Sequence, residues 1–131
     1  DWEISVDSQG FVVYNTTDSR YDLKISGTGN ATFGGSVTAT ADVIAYSDER
    51  LKTNIETLDG SKVYEMRGVS FTKDNKQGSG VIAQELEKVA PELVNNESEY
   101  KAVAYGNITG YLIEAIKDLK AEIEELKKQI K

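Results

Sequence analysis

The sequence predicts an α+β chain: a fibrous β-strand shaft end, a small mixed α+β unit and a C-terminal coiled-coil helix. Three observations predict it. Residues 1–46 mix Gly, Ser, Thr, Asn and Asp with β-branched and aromatic residues. Residues 47–105 alternate short helix and strand signals. Residues 106–131 repeat an apolar residue every three or four positions.

In the first segment, Phe11 to Tyr14 is a strand bounded by Gly10 and Asn15. Tyr21, Leu23 and Ile25 alternate with Asp22 and Lys24, the period of a strand. Asp7 to Gly10, Asp18-Ser19 and Ser26 to Asn30 read as turns, and Ala31 to Ala45 as extended chain. So few large apolar residues cannot offset the entropy of ordering the backbone. The strands are therefore expected to pair with copies from other chains, as in a fibrous β-shaft. In the middle segment, Ser47-Asp48-Glu49 opens like a helix start. Lys62 to Arg67 predicts a short helix stopped by Gly68. Val69 to Thr72 alternates like a strand, and Asp74 to Gly78 reads as a turn. Gly78-Ser79-Gly80 also reads as a hairpin turn, since it lacks the lysine of a phosphate loop. Gln84 to Val89 predicts a helix ended by Pro91. Val94 and Lys101 to Tyr105 predict two strands around the turn Asn95 to Ser98.

The last segment carries Leu112, Ile116, Leu119, Ile123, Leu126 and Ile130, spaced 4, 3, 4, 3, 4. Ile at a and Leu at d form a heptad seam, with Glu122 and Lys127 placed to pair between parallel helices. The other reading is an amphipathic helix packed on its own domain. The stripe is narrow and its flanks are charged, which favours the coiled coil. Ile at a with Leu at d leans towards two strands.

Composition excludes several chemistries. The 131 residues contain no His and no Cys, so a Ser-His-Asp triad, a cysteine nucleophile and a zinc finger are impossible. No metal or other cofactor is expected. A net charge of −7 disfavours nucleic acid and anionic membrane as partners. No apolar run is long enough to span a bilayer and no signal peptide opens the chain. A start at Asp1 without Met is expected of a fragment. Among the nucleophiles left, a serine–lysine dyad is one option, in which a neutral lysine takes the hydroxyl proton. A lysine in water, with a pKa near about 10.4, is protonated; apolar burial lowers it into a working range. Ser47 and Lys52 are candidates, with Leu51 and Ile55 as the wall. Five residues rotate two side chains apart on a regular helix, so Ser47 has to stand at or before the helix start. The same residues also read as a plain helix cap with dipole-matching acids. Glu85 and Glu87, two apart on a helix, do not converge as a glycosidase pair. Asn15, Asn30, Asn96 and Asn107 open glycosylation-like triplets that read as incidental.

The stretch Ser47-Asp48-Glu49-Arg50-Leu51-Lys52-Thr53-Asn54-Ile55 matches the pattern Ser-Asp-x-Arg-Leu-Lys-x-Asn-Ile position by position. Gly80-Val81-Ile82-Ala83-Gln84-Glu85, then Pro91 to Val94, then Tyr111 to Lys117 follow in order. Together they resemble the C-terminal intramolecular chaperone domains of bacteriophage tailspikes and tail fibres, of the endosialidase type, which are self-cleaving serine–lysine peptidases. The resemblance covers residues 47–131. It implies a homotrimer, against the two-strand lean of the seam, that directs folding of the preceding shaft and then cuts itself off. The implied scissile bond is Tyr46–Ser47, with Ser47 as nucleophile and Lys52 as general base. Asp48 and Asn54 carry over as motif residues without an assigned role, and Glu85 as a supporting residue. The implied organisation is a shaft end over 1–46, a chaperone and processing domain over 47–105, and a trimerising helix over 106–131. The implied setting is a fibre precursor of the phage virion, processed in the bacterial cytoplasm. Two rivals remain: a trimerising foot that does not cleave, and a receptor-binding fibre tip. The tip calls for clustered aromatics, whereas Trp2, Tyr14, Tyr64, Phe71 and Tyr100 are scattered.

Overall fold

The computed structural model describes residues 1–8 and 10–130, in two compact units, Asp1–Leu51 and Lys52–Lys131. The first is an antiparallel meander of β1 (Trp2–Asp7), β2 (Gly10–Asn15), β3 (Arg20–Ile25) and β4 (Ala31–Phe33), paired in that order. β2 and β3 form where the alternation lies. β1 is additional to the expected strands; its signal is the alternation of Trp2, Ile4 and Val6 with Glu3, Ser5 and Asp7. The Asn15 side chain shapes the turn into β3, accepting from the N–H groups of Thr17 at 3.0 Å and Asp18 at 3.1 Å. Gly10 has φ +119, and a Cβ there would meet the Ile25 carbonyl oxygen at 1.8 Å, so only glycine fits. These strands bond to one another within one chain, where pairing with other copies was expected. Val12 is the one apolar residue here that is buried, among the described residues. Of the extended stretch expected over 31–45, only Ala31–Phe33 joins the sheet, and residues 34–48 form no helix or strand.

The second unit is α+β. A 3-10 turn spans Gly60–Glu65, and β5 (Val69–Lys73) pairs with β6 (Lys76–Gly80). α1 (Ala83–Val89) runs into a 3-10 turn, Pro91–Leu93. β7 (Val94–Asn95) pairs with β8 (Ala102–Val103), and α2 (Ile108–Gln129) closes the unit. The helix expected over 62–67 is instead this tighter turn, whose cap Met66 is already extended; Gly68 is not the stop. Its N-cap is Asp59, which accepts from the Ser61 N–H at 3.0 Å. The turn expected at Gly78-Ser79-Gly80 lies within β6. The chain reverses at Asp74 and Asn75, both at positive φ, which short polar side chains tolerate.

The core of this unit gathers Leu86, Ala90, Leu93 and Tyr111, with Val63, Met66, Val81, Val94, Val103 and Ile108 around them. α2 thus has two working faces. Ile108, Tyr111 and Ala115 turn towards the core side, Tyr111 and Ala115 being buried. The heptad seam lies roughly 70° further round the helix and stays open. On it Ile116 is 66 % exposed and Ile130 is 84 % exposed.

Candidate functional site

Residues 47–55 begin with a turn, not a regular helix. The expected helix start is a single 3-10 turn, Glu49–Leu51. Asp48 builds it. Its carboxylate accepts the Arg50 N–H at 2.8 Å and the Arg50 guanidinium from Nε at 3.0 Å and Nη2 at 2.7 Å. The Leu51 N–H returns to the Asp48 carbonyl at 3.1 Å. These bonds to Arg50 hold the Asp48 carboxyl below the usual carboxylate range. Ser47 stands immediately before the turn and Lys52 immediately after it, and both are exposed in the single chain. Asn54 follows at φ 53, in the left-handed region, where an asparagine costs less than most residues. Two motif residues thus have backbone roles that spacing did not reveal: Asp48 orders the turn, and Asn54 re-aims the chain after Lys52.

Tyr46, on the other side of the expected scissile bond, is 96 % exposed. With Asp48, Arg50 and Leu51 it lines an open hollow of about 530 Å³. Val43, Ile44 and Leu51 are also exposed, so the chain around this bond is apolar, extended and accessible.

The second motif builds structure. A Cβ at Gly80 would lie 2.4 Å from the Tyr105 hydroxyl oxygen, which itself accepts the Val81 N–H at 3.3 Å. Ile82 caps α1 with its carbonyl, which accepts from Glu85 and Leu86. Glu85 receives a two-pronged contact from Arg67, Nη2 to Oε1 at 2.5 Å and Nε to Oε2 at 3.1 Å. That guanidinium holds the Glu85 carboxyl below the usual range. Both oxygens are engaged, so Glu85 serves here as a clamp between α1 and the segment before β5. Sequence reasoning missed Glu92 and Tyr111. The buried Tyr111 hydroxyl donates to Glu92, which lowers the carboxyl and pushes the phenol up to about 12. The available signal was the Pro91-Glu92 start of a turn facing an aromatic residue on the core face of a helix.

The family model described as chaperone of endosialidase matches residues 47–95, opening at Ser47. This segment belongs to that family. The family is of a serine-peptidase type. The endosialidase-chaperone segment holds the Ser47–Lys52 turn, the Arg67–Glu85 clamp and most of the core. Beyond it, the chain is similar to long tail fiber protein Gp37 of Enterobacteria phage Ox2, 34% identical over 122 residues. That match covers 82% of this chain and 46% of the relative. Gp37 of Enterobacteria phage M1 is 36% identical over 101 residues, covering 66% and 40%. Gp37 of Salmonella phage S16 is 31% identical over 138 residues, covering 90% of this chain and 18% of that protein. The chain therefore spans less than half the length of these relatives.

Proposed function

We propose that the chain is the C-terminal assembly module of a phage tail fibre: three copies join along α2, guide folding of the preceding shaft, and then cut the chain at Tyr46–Ser47. The observation that carries the assembly is the open seam of α2. Leu112, Ile116, Leu119, Ile123, Leu126 and Ile130 are each more than 40 % exposed in one chain, on a face apart from the core. A helix of 22 residues with such a stripe needs partners to hold it in water. Trimeric nucleation raises the local concentration of shaft segments and aligns their ends. That matters because contacts far apart in sequence form slowly and expose aggregating surface.

In this reading the Ser47 hydroxyl attacks the Tyr46 carbonyl while Lys52 takes its proton. The Tyr46–Ser47 C–N bond breaks as that proton passes to the leaving Ser47 amine, and water then hydrolyses the Tyr46 ester, releasing residues 1–46 and restoring the hydroxyl. The oxyanion forms beside the turn, whose Arg50 and Leu51 N–H groups are already held by Asp48. Lys52 is exposed in the single chain, so the apolar wall that renders a lysine neutral comes from assembly. Cleavage then waits for the trimer, and a shaft freed of its nucleating module is retained by its unfolding barrier. The exposure of Lys52 also favours a second reading, a trimerising foot without chemistry. Intact-mass measurement of the wild-type chain beside Ser47→Ala and Lys52→Ala separates the two. The first reading expects wild-type fragments 1–46 and 47–131 and two uncut variants; a wild-type trimer that stays whole favours the foot.

A further inference from the structure

The meander leaves its apolar side open. Directly opposed residues of an antiparallel ladder share a face. The register therefore lays two rows on one side: Ile4, Val13, Leu23 and Phe33, and Val6, Phe11, Ile25 and Ala31. Neither row contains a charged residue. Glu3, Ser5, Lys24 and Thr32 alternate to the other side. Exposure is the reverse of a folded monomer's: Ile4 is 68 % and Val6 80 % exposed, while Val12 on the polar side is 4 % exposed. A sheet patterned this way requires cover on its apolar face. Taking roughly 150–250 Å² for a large aromatic side chain, Trp2, Ile4, Val6, Phe11, Ile25 and Phe33 leave on the order of 600 Å² open. That is as large as the biggest patch of a typical monomer, roughly 300–600 Å², and approaches the ~800 Å² that each partner brings to a stable interface.

We propose that this face is covered by the same face of the other two copies, so that three meanders pack through their side chains. The proposal rests on the reading that α2 holds three copies together. The surface itself selects the occupant. The two central rows offer no charge or hydrogen-bonding side chain to a polar partner; such groups enter only at the rim, in the row of Trp2, Asn15 and Arg20. A chain of net charge −7 also approaches its own copies most easily through uncharged surface. Strand hydrogen bonds stay within each chain, and only apolar packing crosses between chains.

The absence of Cys from the sequence makes single-thiol probes clean. Val6→Cys on the open face and Glu3→Cys on the opposite one are placed separately in the full chain carrying Ser47→Ala. Maleimide labelling rates and oligomeric state are then read together. The expected result is a trimer in which Val6→Cys reacts at least tenfold more slowly than Glu3→Cys, the difference vanishing when Ile123→Glu separates the copies. Ile4→Cys repeats the comparison if Val6→Cys does not fold. A trimer with equal rates overturns the face-to-face packing and leaves the α2 reading standing. Slow labelling that persists in the separated chain assigns the cover to the chain itself and also overturns it. A monomeric parent overturns the α2 reading and this one with it.

Discussion

At the scale of residues, Tyr111 and Glu92 make the most informative contact in the second unit. The tyrosine lies in the core of that unit and donates to a carboxylate on the turn after α1. The carboxyl sits below its unfolded value of about 4.3, so its contribution is complete above that pH and lost as pH falls through the folded value. The phenol sits at about 12, above its unfolded value near 10. Its contribution is complete below about pH 10 and is lost as pH rises towards the folded value. Tyr111→Phe is expected to cost roughly 0.5–1.5 kcal/mol at neutral pH, the net worth of one hydrogen bond, because Glu92 is exposed and water replaces the lost donor. Thermal unfolding against pH should show a smaller alkaline loss in the variant than in the wild type. Identical alkaline limbs would remove the hydrogen bond from the account. The sequence held only an indirect signal of the pair, since 19 residues separate its members. The Ser47 motif was legible as a pattern. The work done by Asp48 and Asn54 was not, because capping geometry and a positive φ show only once the backbone is placed.

At the scale of elements, α2 shows what periodicity can and cannot tell. The steps of three and four fixed a helix and its open seam. They did not reveal that Tyr111 and Ala115 form a second face against the unit's own core, so the two readings of the helix each describe part of it. Close approach of the turn Gly60–Glu65 makes that second face specific. A Cβ at Gly60 would fall 2.4 Å from the Ala115 amide nitrogen and 2.5 Å from the Glu114 carbonyl carbon. Gly60→Ala should therefore destabilise the unit by about 1–3 kcal/mol, read as a lower denaturant midpoint with an unchanged slope. An unchanged midpoint would mean that the turn and helix have room to part. Ile123→Glu makes the opposite test. It lies on the seam, beyond the core contacts, so sedimentation should report separated copies while circular dichroism keeps the β and core signals. Loss of all structure would show the two faces to be one cooperative surface. The short strands and 3-10 turns of the middle region were harder to read, because segments of two to six residues hold too few periods to separate helix from strand.

At the scale of the molecule, the α2 seam and the apolar side of the meander both lack cover in a single chain. The seam was visible as heptads and the sheet in part as alternation; composition predicted strands pairing between chains, and β1 to β4 form an open ladder within one chain. Oligomeric packing of side chains and exchange of strands place the same demands on composition, and only the register distinguishes them. Ser47 and Lys52 are both exposed in a single chain, so the proposed cleavage, like the two surfaces, depends on cover from neighbouring copies. The most direct measurement is the intact mass of the wild-type chain followed beside Ile123→Glu during assembly. The account predicts that the wild type divides between Tyr46 and Ser47 as trimers form, and that the separated variant stays whole. A wild-type trimer that keeps its full mass, or a separated chain that cuts at the same rate, would contradict it.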